Sequence, residues 1–153
     1  MEKTEILILG GGLVGLTLAL ALDAHGISTV VVDPADPAKT LSDTFDGRAS
    51  AIASASWRML EVIGIADKLK PHGCPIRRIE VRDGLSKYAL DFTPSDDALG
   101  TMVENRILRR VLREAALKAA HIDLRQPARA LSVVRDAGGV TAKIGRASCR
   151  ERV

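Results

Sequence analysis

Aromatic side chains are scarce in this chain, with one Trp, one Tyr and two Phe among 153 residues. A basic surface made to stack bases interleaves its arginines and lysines with aromatics. No such stripe occurs, so no nucleic-acid partner is expected. Cysteine is nearly absent as well. Cys149 falls in a terminal segment treated separately below, and Cys74 by itself makes neither a disulfide framework nor a metal cluster, so no metal site is expected. No apolar run has the length of a bilayer span, because the stretch that begins at Ile6 is interrupted by glycines. The N-terminus does not read as a signal peptide: Glu2 and Glu5 offset Lys3, and no small-residue cleavage site follows. The expected compartment is the cytoplasm, with peripheral association at the inner membrane face left open. The net charge of +3 implies no acidic partner, since Arg146, Arg150 and Arg152 against Glu151 supply +2 of it.

What is present is the composition of an ordinary globular domain, 46% hydrophobic and 27% charged. One stretch organises it. Ile6-Leu7-Ile8-Leu9 runs into Gly10-Gly11-Gly12-Leu13-Val14-Gly15 and on into a second apolar run ending at Leu22. Strand, glycine turn and buried helix, in that order, open a dinucleotide-binding βαβ unit. Gly10 permits the tight turn, Gly12 lets a pyrophosphate approach the backbone, and Gly15 lets the helix pack on the strand. The phosphates then meet the N–H groups at the helix N-terminus, around Leu13 and Val14. Asp33 follows Gly12 by 21 residues, near the offset at which an acid meets an adenosine ribose. Its carboxylate accepts from ribose hydroxyls and disfavours a 2′-phosphate; the alternative is that Asp33 only starts the Asp33-Pro34 turn.

Periodicity predicts the rest. Glu5 to Leu9 reads as a central parallel strand covered on both faces, followed by a helix from Leu13 to about His25 that is apolar around most of its circumference and ends at Gly26. A buried strand spans Ser28 to Val32, and Pro34 to Gly47 is a polar loop. A helix is predicted from about Ala49 to Ile63, with Ile52, Met59, Leu60 and Ile63 on one face and Gly64 as its stop. Ala66 to Leu69 adds a helical turn before a breaker segment, Pro71 to Pro75. Around Asp83-Gly84 the period changes to two, which predicts antiparallel strands at Ile79–Val81 and Tyr88–Phe92. Thr93 to Gly100 reads as a mobile polar segment. Asn105 to about Ala120 is an amphipathic helix with Ile107, Leu108, Val111, Leu112, Ala115 and Ala119 inward. A strand at Ile122–Leu124 and a hairpin of Ala130–Val134 with Val140–Lys143 complete the pattern.

Three features together resemble one family: the glycine motif with Asp33, the stretch FDGRASAIASASWRMLEVIGI, and VENRILRRVL. They are similar to the N-terminal part of the class A flavoprotein aromatic hydroxylases, in the ubiquinone-biosynthesis branch that includes the octaprenyl-methoxyphenol hydroxylases. The resemblance covers residues 3 to 143. It implies an α/β fold, an FAD-binding Rossmann-like βαβ domain with an inserted antiparallel β segment, in truncated form. It also implies that Arg48 reaches the flavin and its pyrophosphate, and that Arg106 contacts the cofactor from another side. NAD(P)H would be the co-substrate and O₂ the oxidant, with a C4a-hydroperoxyflavin transferring oxygen to a polyprenylated phenol, a quinone precursor. Association with a ubiquinone-biosynthesis complex is left open. The family's two later cofactor motifs do not occur in these residues, so the 153-residue chain is expected to be inactive alone, and no residue is named catalytic.

The last segment, residues 144–153, has no apolar period and resembles the in-frame translation of a common sequencing adaptor, so it is set apart from the partial FAD-binding domain at 1–143. Two other classes are weighed against the hydroxylase: a nicotinamide-binding sensor module, which the segment from Ile79 to Phe92 fits poorly, and an interaction domain using the exposed arginines of the third helix.

Overall fold

The computed structural model describes residues 2–40, 46–84, 88–94 and 98–146. The chain divides into two compact units, one formed by Met1–Asp43 with Leu112–Val153 and the other by Thr44–Val111. The first unit opens with strand β1 (Ile6–Leu9), helix α1 (Leu13–Asp23), strand β2 (Thr29–Val32) and the short helix α2 (Pro37–Thr40). The second carries β3 (Ala49–Ala53), α3 (Ser54–Val62), α4 (Ala66–Leu69), β4 (Cys74–Ile76), β5 (Ile79–Arg82), β6 (Ala89–Phe92) and β7 (Gly100–Glu104). Helix α5 (Asn105–Lys118) begins in the second unit and ends in the first, which closes with β8 (Ile122–Arg125), β9 (Ala128–Asp136) and β10 (Gly139–Arg146).

In the first unit β1, β2 and β8 form a parallel sheet in the order β1-β2-β8. The central strand is therefore β2, and all four of its residues are buried. Burying a valine side chain contributes about 1.5–3 kcal/mol, so Val30, Val31 and Val32 anchor this unit. β1 is not the doubly covered central strand that its apolar run predicts. Among the described residues only β2 pairs with it, and Ile6 and Leu9 are exposed. An apolar run alone cannot say how many neighbours a strand has. Helix α1 differs similarly: Leu16, Ala19 and Leu20 are buried, whereas Val14 and Leu18 are exposed, so it packs by one face rather than all round. Its end is as expected. Gly26 adopts φ +71°, and the Ile27 N–H donates to the Leu22 carbonyl at 3.1 Å, closing the last turn.

The hairpin of β9 and β10 pairs antiparallel and packs Ile144 against Val30, Val32 and Ala128. Strand β10 thus includes residues 144–146, while 147–153 lie outside the described residues.

The second unit contains the main departure from the sequence reading. Residues 49–53, expected to start a helix, form β3, which pairs antiparallel with β7; β7 in turn pairs with β4. Neither β7 nor β4 is expected from the sequence. Ala-Ser-Ala-Ile-Ala has a helical rather than a β-prone composition. It is extended because β7, some fifty residues on, offers it a full ladder from Ala49↔Glu104 to Ala53↔Gly100. The helix then starts at Ser54, and Gly64 takes φ +72° just past its end. The expected antiparallel pair is present as β5 and β6, and the amphipathic helix as α5, which buries Ile107, Leu108, Val111, Leu112 and Ala116. Part of the Thr93–Gly100 segment (95–97) lies outside the described residues. Among the described residues no helix is long and apolar enough to cross a membrane.

Candidate functional site

The glycine turn joins β1 to α1, and each of its glycines meets a different constraint. Gly10 has φ +116°, a region L side chains rarely adopt, and its N–H donates to the Val32 carbonyl at 2.8 Å. A Cβ on Gly15 would lie 1.9 Å from the Gly10 carbonyl oxygen and 3.3 Å from Ile8 Cγ2, so only glycine lets the helix sit this close to the strand. Gly12 is the opposite case. A Cβ there would have nothing within 4 Å, so the absent side chain leaves open space rather than relieving a clash.

Gly12 is also the N-cap of α1, and no side chain caps the helix there. The first intrahelical bond runs from the Leu16 N–H to the Gly12 carbonyl at 3.0 Å. The N–H groups of Leu13, Val14 and Gly15 precede it and have no intrahelical acceptor. Open space thus faces a helix N-terminus with uncapped donors and the positive end of a dipole. Such an arrangement suits an anion such as a pyrophosphate.

Asp33 lies just beyond β2 and is drawn back onto the turn. One carboxylate oxygen, Oδ2, accepts the Gly11 N–H at 2.7 Å. The other, Oδ1, accepts the Ala35 N–H at 2.7 Å and the Gln126 side-chain amide at 3.3 Å. Asp33 therefore does start a turn, through Ala35, and also clips the glycine loop to the end of β2. A carboxylate offers about four acceptor positions, so these three donors leave about one unused by the hydrogen bonds described. Sequence reasoning missed two residues here. Gly11 has a Cβ position 3.0 Å from Asp33 Cβ, and the run of three glycines was its signal. Gln126 carries no motif, and nothing in the sequence marks it.

Arg48 and Arg106 lie in the second unit, at the same end of the β3–β7 pair, where Ala49 faces Glu104. Arg48 directly precedes β3, and its carbonyl accepts the N–H of Asn105, the first residue of α5. Its guanidinium is largely exposed and is held by Asp46 at 2.9 Å. Arg106 is in the first turn of α5, and its Nε donates to Glu104. Asp46 also accepts from Arg109, whose side chain is mostly covered rather than part of a solvated arginine face. The hydrogen bond from Arg109 holds the Asp46 carboxyl down to about 2 from 3.8, with Arg48 adding to the effect. Asp46 is thus ionised throughout the neutral range. No cluster of His, Cys, Asp and Glu suited to a metal occurs among the described residues.

A family model described as an FAD binding domain matches residues 3–152. Ubiquinone hydroxylase UbiL of Rhodospirillum rubrum is 42% identical over 94% of this chain and 34% of its own length. The 3-demethoxyubiquinol 3-hydroxylase of Escherichia coli is 37% identical over 82% of this chain and 33% of its own length. Among solved structures, the flavin-dependent monooxygenase PieE, in complex with FAD and substrate, superposes with a TM-score of 0.71. It is 22% identical, with 95% of this chain and 27% of that one covered, and at that identity the likeness concerns the fold.

Proposed function

The chain belongs to the FAD-binding domain family, and from that membership we propose that it carries the ADP-binding part of an FAD-dependent aromatic monooxygenase. The proposed reaction is hydroxylation of the ring of a polyprenylated phenol on the way to ubiquinone. The observation that carries the proposal is the uncapped N-terminus of α1 behind Gly12, where a side chain is absent and space is open. Relatives at 42% and 37% identity, both named as hydroxylases of ubiquinone chemistry, support the substrate class. The chain spans about a third of the length of these relatives, and the activity is proposed for the whole protein.

In this proposal the N–H groups of Leu13, Val14 and Gly15 bind the pyrophosphate oxygens, with Gly10 and Gly12 shaping the approach. Asp33 accepts from a ribose hydroxyl and repels a phosphate placed on that ribose. Arg48 and Arg106 offer guanidinium donors to cofactor oxygens. When bound and reduced by NAD(P)H, FAD supplies the oxygen-activating chemistry, and the protein orients it and excludes water. The division at Lys143, with an adaptor-derived segment after it, is likewise a proposal, and resequencing the locus tests it.

Disrupting the intact gene tests the function. The expected result is accumulation of a polyprenylated phenol lacking one ring hydroxyl, corrected by the intact gene and not by a Gly12→Val version. Normal ubiquinone in the disrupted strain overturns the reading. An intact product that binds NAD and shows no flavin absorbance after incubation with FAD points instead to a nicotinamide sensor.

A further inference from the structure

Behind Asp33 lies a polar chain that neither the glycine motif nor the family match accounts for. The Arg113 Nε, part-buried on α5, donates to the Gln126 side-chain oxygen at 3.2 Å. The Gln126 Nε2 donates to Asp33 Oδ1 at 3.3 Å, and Asp33 Oδ2 accepts the Gly11 N–H at 2.7 Å. Arg113, Gln126, Asp33 and Gly11 all belong to the first unit. They connect a helix, the end of β8, the end of β2 and the glycine turn.

The chemistry of the two ends fixes the middle. A guanidinium only donates, so it can meet only the oxygen of the Gln126 amide. A carboxylate only accepts, so it can meet only the nitrogen. The amide is therefore oriented by its neighbours, and its N–H is directed at Asp33. The main chain on both sides is equally constrained: the Asp33 N–H donates to the Arg125 carbonyl at 3.1 Å, and the Ala128 N–H to the Asp33 carbonyl at 2.8 Å. Gln126 lies between those two anchors. With Oδ1 taken by Ala35 and Gln126, the acceptor position that remains is on Oδ2, the oxygen already turned to the glycine loop.

We propose that Gln126 and Arg113 are positioning residues that orient the Asp33 carboxylate so that it accepts from one particular ribose hydroxyl of the adenosine. The proposal rests on the ribose role given to Asp33 above. It makes the relay a determinant of how strictly this site requires that hydroxyl, and it gives Arg113 an internal task in place of a solvent-facing one.

Titrating the ¹⁵N-labelled chain with ADP, 2′-deoxy-ADP and 3′-deoxy-ADP tests it, since chemical-shift changes report dissociation constants into the millimolar range. The unsubstituted chain should bind one deoxy analogue about tenfold more weakly than ADP, the worth of a hydrogen bond to a charged acceptor. Gln126→Leu and Arg113→Met should each reduce that difference to about twofold, and Arg113→Lys should restore much of it. Either variant keeping the full discrimination overturns the relay. So does an equal loss of affinity for all three ligands, which would mark Gln126 and Arg113 as structural only. An unsubstituted chain that binds ADP without distinguishing the analogues overturns the ribose role of Asp33, and with it the purpose of the relay. No saturable ADP binding overturns the nucleotide reading itself.

Discussion

Two glycines three positions apart in one motif, Gly12 and Gly15, should respond to substitution in different ways. Gly15→Ala places a methyl 1.9 Å from a backbone oxygen that cannot rotate away. Helix and strand must separate, at a cost of about 1–3 kcal/mol or more, and the denaturant midpoint should fall clearly. Gly12→Ala meets nothing within 4 Å. Its midpoint should fall less than that of Gly15→Ala, by no more than the roughly 1 kcal/mol by which glycine exceeds alanine as an N-cap, while affinity for ADP falls about tenfold or more, because the methyl enters the space proposed for the pyrophosphate. A Gly12→Ala chain that binds ADP normally sinks the pyrophosphate assignment; a fully stable Gly15→Ala chain sinks the packing one. The motif was legible because glycine needs are local. Gly10 and Gly26 sit at positive φ, and a short sequence window is enough to expect that. The bonds to Asp33 from Gly11 and Gln126 were not legible, since they span 22 and 93 residues.

At the scale of elements, the β3–β7 pairing decides how the second unit begins. Its residues carry helical composition, and the ladder to β7 overrides that preference. Asp46 secures the approach to β3, accepting from Arg48 beside the strand and from Arg109 on α5. This contact should be visible in acid. The Asp46 carboxyl is lowered from 3.8 to about 2, first by Arg109 and then by Arg48. A depressed carboxyl contributes its stability fully above its unfolded value and loses it as pH falls through the folded one. Urea midpoints of the chain and of Asp46→Asn should therefore differ most above about pH 4 and converge near pH 2. A constant difference across that range would mean that Asp46 contributes through something other than its charge. Helical periodicity places Arg109 off the apolar face of α5 and could not show that it is covered, because its partner lies 63 residues away.

For the whole molecule, family membership and the residues present predict a particular ligand balance. The first unit offers donors and an acid suited to ADP, and the family's two later cofactor motifs, one of which the resemblance ties to the flavin ring, do not occur in these 153 residues. The isolated chain should therefore bind ADP and FAD with affinities within about threefold of each other. Ligand at a hundredfold excess over its dissociation constant adds about 2.7 kcal/mol, which for a chain of this size raises the melting temperature by roughly 5–10 °C. Thermal shifts with ADP and FAD should therefore agree within about 3 °C at equal ligand concentration, since a threefold difference in affinity is worth only about 0.65 kcal/mol. FAD affinity far above that of ADP would show that the chain also holds the flavin ring, contrary to this reading.

Sequence alone determined the glycine turn, the strand and helix beside it, the stop glycines, the β5–β6 ribbon and α5, because each follows from backbone freedom or from side-chain period within a few residues. Tertiary structure decided what depends on partners far along the chain. It made β2 rather than β1 the central strand, turned residues 49–53 from helix to strand, and enclosed Arg109 and Arg113 in polar contacts. Hydrogen-bond ladders and ion pairs form between whichever groups the fold brings together. Their identity is settled only when segments separated by tens of residues have met.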